Sequence, residues 1–248
     1  MSQLVLITGG SRGIGAATAL LAARQGYAVA VNYSANSLAA DEVVRQIRQA
    51  GGQAMAVQAD VANEAQVVAM FEKIDAKFGR LSALVNNAGV VDQTTRVDAI
   101  SLQRLQRMFE INVFGSFLCA REAVRRMSTR YGGTGGSIVN VSSVAARLGA
   151  PGQYVDYAAA KGAIDTFTIG LSKEVAAEGI RVNAVRPGII ETALPASGGV
   201  PHRARERAPQ VPMQRAGTAR EVAESIVWLL GESSSYTTGA LLDVTGGR

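Results

Sequence analysis

Gln3-Leu-Val-Leu-Ile-Thr8 runs directly into Gly9-Gly10-Ser11-Arg12-Gly13-Ile14-Gly15, and this junction decides the fold. The first six residues form a short, nearly continuous apolar run, as strands buried on both faces of a parallel sheet do. Glycines then let the chain turn sharply and bring its backbone close to a phosphate. The apolar helix expected from Gly13 to Gln25 would add free N–H groups and the positive end of its dipole. A glycine-rich turn alone is weak evidence. One that follows a strand at the start of the chain and opens a helix points to a dinucleotide site. The spacing is Gly-x-x-x-Gly-x-Gly, not Gly-x-Gly-x-x-Gly.

Beyond this junction, strands and helices alternate to the end of the chain. Strands are expected at Tyr27–Tyr33, Gln53–Gln58, Ala83–Asn86, Ser137–Ser142, Ile180–Val185 and Ala240–Val244. Helices are expected at Ser37–Ala50, Asn63–Phe78, Tyr154–Glu178 and Thr218–Leu230, with one long helix over Ser101–Arg130. With the opening strand this makes an α/β chain: a doubly wound, seven-stranded parallel sheet with helices on both faces. No linker, solenoid repeat or low-complexity tract interrupts residues 1–248, so a single domain is expected. In such sheets, ligands bind beyond the carboxyl ends of the strands.

Composition narrows the function classes. Hydrophobic residues make up 48% of the chain, enough for a sizeable core, yet no run approaches the length of a membrane span. The N-terminus lacks a basic segment and room for a signal peptide, so a cytoplasmic location is expected. Cys119 is the only cysteine and sits in an apolar run, where it reads as a small core residue. The only histidine, His202, lies in a Pro/Gly-rich loop, and no ligand cluster suggests a metal. The net charge of +5 comes mostly from arginine, with Arg121, Arg125, Arg126 and Arg130 on one helix. No stacking-aromatic motif accompanies them, so nucleic-acid binding is set aside in favour of a solvated face or a dock for an acidic partner.

Tyr157 and Lys161 stand four residues apart in an Ala-rich run, which stacks them on one helix face. An ammonium beside a phenol favours the phenolate. Bringing a tyrosine from near ~10 to about 7 needs roughly 4 kcal/mol of differential stabilisation. Such a group can give or take a proton at neutral pH. Taken alone, the pair reads more readily as a surface contact on an ordinary helix.

Five motifs now stand in order: Thr8-Gly-x-x-x-Gly-x-Gly15, Asn86-Asn-Ala-Gly89, Ser143, Tyr157-x-x-x-Lys161 and Pro187-Gly188. Together they resemble the short-chain dehydrogenase/reductase family over the whole chain, and with it a single-domain Rossmann fold. The resemblance implies that Tyr157 is the general acid/base and that Lys161 lowers its pKa and bonds the nicotinamide ribose. It implies that Ser143 orients the substrate oxygen and that Asn112 holds a water in the proton relay. Ser142 and Tyr154 are nearby decoys: the family strand aligns with the second serine, and the residue four past Tyr154 is Ala158. The interval from Ser143 to Tyr157 is fourteen residues, one longer than usual in the family, so the wall near Gln153 and Tyr154 is expected to differ.

The same resemblance places the cofactor. Gly9, Ser11, Arg12, Gly13, Ile14 and Gly15 would surround its phosphates, and Asn32, Tyr33 and Ser34 would lie at the adenosine ribose. Asp60 and Val61 would meet the adenine, although Asp60 could instead cap the helix that follows. Asn87, Ala88 and Gly89 would line the cleft, and Pro187, Gly188, Ile190 and Thr192 would flank the nicotinamide. Tyr33 stands where NAD-specific members carry an acid, and Arg12 could reach a 2'-phosphate, so NADP(H) is the expected cofactor.

The segment of about 193–214 is expected to be a substrate lid. Its Arg203, Arg205 and Arg207 could meet an anionic substrate or simply face solvent. The substrate is expected to be a small carbonyl or alcohol, and the chain is similar to both 3-oxoacyl-carrier-protein reductases and bacterial glucose dehydrogenases. For the former, an acidic carrier protein could dock on the Arg121–Arg130 helix. The family also implies a homotetramer built through the two long helices. A sensor or scaffold that binds NADP(H) without turnover is the alternative from another class.

Overall fold

The computed structural model describes residues 3–192 and 203–248, with the backbone alone described at Arg203 and Arg205. The chain runs β1 (Leu4–Ile7), α1 (Gly13–Arg24), β2 (Ala28–Tyr33), α2 (Ser37–Gln49), β3 (Ala54–Gln58), α3 (Glu64–Phe78) and β4 (Ala83–Asn86). It continues through α4 (Leu102–Phe109), a π turn (Glu110–Phe114), α5 (Gly115–Met127), β5 (Gly136–Val141), α6 (Ala145–Leu148), α7 (Val155–Val175) and β6 (Ile180–Pro187). The last elements are β7 (Ile190–Glu191), α8 (Arg203–Arg207), β8 (Gly217–Thr218), α9 (Ala219–Leu230) and β9 (Leu241–Val244).

Seven strands form one parallel sheet, as the alternating pattern predicted, and their order is β3-β2-β1-β4-β5-β6-β9. Successive side chains of a strand point to opposite faces. Leu4 and Leu6 therefore join Val67, Phe71 and Ile74 of α3 and Ala123 and Met127 of α5. Val5 and Ile7 face the other way, onto Ala19 and Ala22 of α1, Val44 and Ile47 of α2, and Val222 and Ile226 of α9. Each large side chain so buried contributes roughly 1.5–3 kcal/mol. Cys119 is wholly buried in the first of these layers, and burial pushes its thiol pKa up to about 12, so it is an inert core residue as read from its surroundings.

The sheet order reverses between β1 and β4. The chain leaves β1 toward β2 and β3 on one side and resumes at β4 on the other, opening a crevice at their carboxyl ends. Everything described below gathers there.

Three features depart from the sequence reading. The expected single helix over Ser101–Arg130 is broken by the π turn and ends in a short 3-10 turn, Thr129–Tyr131. The break coincides with two contacts to other segments of the chain. The Asn112 side chain bonds to the backbone of Val90, and Gly115 packs so closely that an added Cβ would lie 2.7 Å from Val61 Cγ2. The short helix α6 and the paired two-residue strands β7 and β8 were not foreseen, since elements this short carry no periodic signal. Residues 193–202 of the expected lid, including His202, lie outside the described residues. The remainder forms α8, a 3-10 turn (Ala208–Gln210) and the buried Val211.

Candidate active site

The glycine turn is stitched to both neighbouring strands. Asn32 on β2 accepts a hydrogen bond from Gly9 N at its Oδ1 (3.2 Å), and its backbone carbonyl accepts from Gly10 N (2.8 Å). On the β4 side, Asn87 Nδ2 donates to the carbonyls of Thr8 (2.9 Å) and Gly9 (3.0 Å). Thr8 Oγ1 in turn accepts from the backbone N–H groups of Asn87 and Ala88, both at 3.0 Å. Gly9 and Gly13 hold left-handed backbones, with φ of +59° and +55°, which a side chain would strain. At Gly15 a Cβ would stand 2.4 Å from Gly9 O and 2.6 Å from Asn87 Nδ2. Gly15 thus seats α1 against the turn and does not line the cavity.

A cavity of about 870 Å³ runs from this turn to the Tyr157 helix. Gly9, Ser11, Arg12, Gly13 and Ile14 line one end with Tyr33, Ser34, Asp60 and Val61. Asn87, Ala88 and Gly89 follow, and Ser143, Tyr157, Lys161, Pro187, Gly188, Ile190 and Thr192 line the other end. Asn32 is corrected here: it is buried behind the lining, with its amide spent on Gly9 and on the carbonyls of Val57 and Ala59. Asp60 is exposed and accepts from Ala62 N at Oδ1. The cap of α3 is Asn63, whose side chain accepts from Gln66 N.

At the other end, the two adjacent serines have different tasks. Ser142 is buried and its hydroxyl donates to the carbonyl of Lys161 (3.2 Å), which fixes α7 to the end of β5. Ser143 is half-buried, and its Oγ accepts from Ala145 N at 3.1 Å, leaving the hydroxyl proton to be donated. Lys161 is almost fully buried, donates from Nζ to Val141 O (2.7 Å), and stands 5.7 Å from the centre of the Tyr157 ring. Burial lowers its pKa to about 8, against a smaller opposing pull from Asp165. It therefore still carries its proton at neutral pH. Gly89 makes room for this arrangement, since a Cβ there would meet Asn112 Oδ1 at 2.7 Å and Lys161 Nζ at 3.6 Å.

Asn112 is fully buried in the π turn and outside the cavity lining. Its side chain clamps Val90, accepting from Val90 N (3.2 Å) and donating to Val90 O (3.0 Å) and Met108 O (3.0 Å). The geometry gives its side chain the task of holding the loop after β4.

Sequence reasoning missed several wall residues. Val90, Val91, Arg107, Ile111, Leu148, Ala150 and Arg248 line the cavity, beside Gln153 of the expected wall and Ala204 and Arg207 of the expected lid. None belongs to a motif. Tyr154, set aside as a decoy, also lines it, and its hydroxyl accepts from Thr94 Oγ1 (3.3 Å). The arginines of α5 are less available than their number suggested. Arg121, Arg125 and Arg126 all bond the buried Glu122, and Arg121 and Arg126 also reach Glu64 and Asp75. Among the described residues no cluster of His, Cys, Asp and Glu suits a metal ion, and no helix is long and apolar enough to cross a membrane.

The family model described as enoyl-(acyl carrier protein) reductase matches residues 9–248. The chain belongs to the short-chain dehydrogenase/reductase family. It is 58% identical over 245 residues to the uncharacterized oxidoreductase YgfF of Escherichia coli, covering 99% of each chain. It is 40% identical to a 3-oxoacyl-[acyl-carrier-protein] reductase of Synechocystis, covering 99% of this chain and 96% of that one. With glucose 1-dehydrogenase 2 of Bacillus subtilis the identity is 36%, over 99% of this chain and 94% of the relative. Among solved structures, a mutant Serratia marcescens short-chain dehydrogenase/reductase superposes with a TM-score of 0.90 at 32% identity, covering 99% and 97% of the two chains. The chain is thus an oxidoreductase of a family that uses nicotinamide cofactors, and both kinds of relative suggested by its motifs are present.

Proposed function

We propose that the protein interconverts a ketone or aldehyde and an alcohol, using NADP(H). One observation carries this reading: Ser143, Tyr157 and Lys161 line the same continuous cavity as the glycine turn. The cradle suits a dinucleotide, because the left-handed glycines keep bulk away where the opening helix presents its N–H groups. Gly9, Ser11, Arg12, Gly13 and Ile14 would hold the phosphates, with Tyr33 and Ser34 at the adenosine ribose and Asp60 and Val61 at the adenine. Asn87, Ala88, Gly89, Pro187, Gly188, Ile190 and Thr192 would frame the remainder. Arg12 favours a 2'-phosphate, and the end of β2 presents Tyr33 and Ser34 rather than a carboxylate, the acid of this end being Asp60 after β3. When bound, the nicotinamide supplies or accepts the hydride.

The protein's own groups handle the proton. Ser143 donates its hydroxyl proton in a hydrogen bond to the substrate oxygen and orients it. Tyr157 gives the proton to that oxygen during reduction and takes it back during oxidation. The Lys161 ammonium stabilises the phenolate this leaves. Asn112 keeps the Val90 loop, and through it the cavity wall, in place.

The reading extends to a cytoplasmic homotetramer of single-domain subunits. Phe114 and Phe117 of the π turn and α5, and Ile169 of α7, are exposed apolar side chains on the two helices expected to pair. Light scattering at micromolar concentration should give four copies, and a monomer would refute the assembly. Segment 193–214 is assigned as the substrate lid, which the placement of Ala204 and Arg207 in the cavity lining supports. Activity is tested by following NADPH consumption across a panel of ketones, aldehydes, 3-oxoacyl thioesters and sugars, with Tyr157→Phe as control. Binding of NADPH without turnover on any of them would make the protein a sensor instead.

A further inference from the structure

Asp156 precedes Tyr157 in the first turn of α7, and its side chain is completely buried. A buried carboxylate is costly unless fully paired. Its partner is Arg104 of α4, which makes two parallel bonds to it: Nε to Oδ2 at 2.7 Å and Nη2 to Oδ1 at 3.1 Å. The remaining corner of the guanidinium, Nη1, donates to the carbonyl of Gln93 at 2.7 Å. One planar group therefore joins α4, the loop after β4 and the first turn of the Tyr157 helix. Such a fork fixes direction as well as distance.

The same segments are joined a second time. Thr95 N donates to Gln153 O (3.0 Å), and Thr94 Oγ1 donates to the hydroxyl of Tyr154 (3.3 Å). One turn beyond Arg104, the Met108 carbonyl accepts from Asn112, which also clamps Val90. The stretch from Val90 to Thr95 is thus held by Asn112 at one end and by Arg104 near the other. Val90, Val91, Gln153, Tyr154 and Tyr157 all line the cavity. This is the wall where the serine-to-tyrosine interval carries its extra residue.

We propose that Arg104 and Asp156 are positioning residues for hydride transfer, setting the Tyr157 hydroxyl and the Gln153–Tyr154 wall in register with Ser143 and the nicotinamide. The proposal rests on the dehydrogenase reading of the site. Bonding for stability alone would be served as well by an apolar pair of similar volume, whereas an apolar pair supplies no fixed direction.

The test follows from that distinction. Arg104→Met alone strands a buried carboxylate and is expected to fold poorly. Arg104→Met with Asp156→Leu removes both charges together and is expected to keep the thermal midpoint and NADPH affinity near wild type. For that double variant, kcat should fall roughly 10²-fold, the cost of about 1 Å of misplacement at a reacting centre. Arg104→Lys, which keeps the charge and loses the fork, should fold and lie between the two. Should the double variant not fold, Arg104→Lys carries the test: a kcat within twofold of wild type would overturn the proposal. The same result in a folded double variant would overturn it directly, making the pair structural only. Wild-type turnover is the separating control. With no carbonyl substrate reduced by the wild type, the reading of the site fails and the proposal with it; with turnover intact in both variants, only the positioning role fails.

Discussion

The two ends of the cavity are built by different means. At the glycine turn, shape is set by backbone: left-handed glycines, carbonyls and N–H groups, braced by the side chains of Thr8, Asn32 and Asn87. At the substrate end, shape is set by side chains from distant segments, joined through Arg104, Asp156, Thr94 and Tyr154. A backbone cradle tolerates few sequences, because the phosphate must approach peptide groups closely. A side-chain wall can be rebuilt many ways at little cost to the sheet below. The contrast accounts for the phosphate cradle reading as a motif and the wall of Val90–Thr95 and Gln153–Tyr154 as ordinary sequence.

The largest expected effect separates the ends most sharply. Tyr157→Phe should lower kcat by roughly 10²–10⁴-fold, the range for a positioned acid/base, while NADPH binding by fluorescence titration stays near wild type. A matching loss of NADPH affinity would mean the ends are not separable. The opposite pattern is expected of Arg12→Ala: kcat at saturation nearly unchanged, with KM for NADPH raised about 10- to 100-fold, as losing one charge-assisted bond to phosphate predicts. KM for NADH should move little. Equal loss with both cofactors would remove the 2'-phosphate from the account.

The sequence carried most of the fold, and the reason lies in particular residues. Val5 and Ile7 face one core layer while Leu4 and Leu6 face the other, which is why the first strand read as a continuous apolar run. The catalytic group was legible because Tyr157 and Lys161 lie one helical turn apart, so a local spacing encodes their proximity. Arg104 and Asp156 are 52 residues apart, and no local pattern announces their fork. The π turn was hidden for a related reason. The bond that accompanies it joins Asn112 to Val90, a contact 22 residues away that no local pattern announces. Asn32 misled in the opposite sense: its place at a strand end suggested a ribose contact, but alternation turns it inward, beneath the turn.

Gly15→Ala sharpens the comparison at a smaller scale. Its Cβ would press on Gly9 O and Asn87 Nδ2, both fixed by the stitching of the turn. Overpacking of this kind costs about 1–3 kcal/mol, which should appear as a lower thermal midpoint together with a raised KM for NADPH. A variant with wild-type midpoint and KM would show the cradle to be softer than its hydrogen bonds suggest.

The smallest effect concerns the ammonium buried at the Tyr157 end. Lys161 has its pKa lowered to about 8 by burial, against 10.5 for the free side chain. Between those values the unfolded chain holds a proton that the folded chain has released, so folding stability must rise with pH across that window. Below about pH 8 both states hold the proton, and the cost of burying the ammonium is constant. Comparison with Lys161→Met isolates this contribution from every other titrating group. The thermal midpoint of the wild type, relative to that variant, should climb by a few degrees between about pH 8 and 10.5 and stay level from pH 6 to 7.5. A level difference throughout would mean that the ammonium is solvated when the cavity is empty. Tyr157 would then face a hydrated cation, screened and too weak to hold the phenolate near neutral pH, and the proton chemistry assigned to this end would need another source.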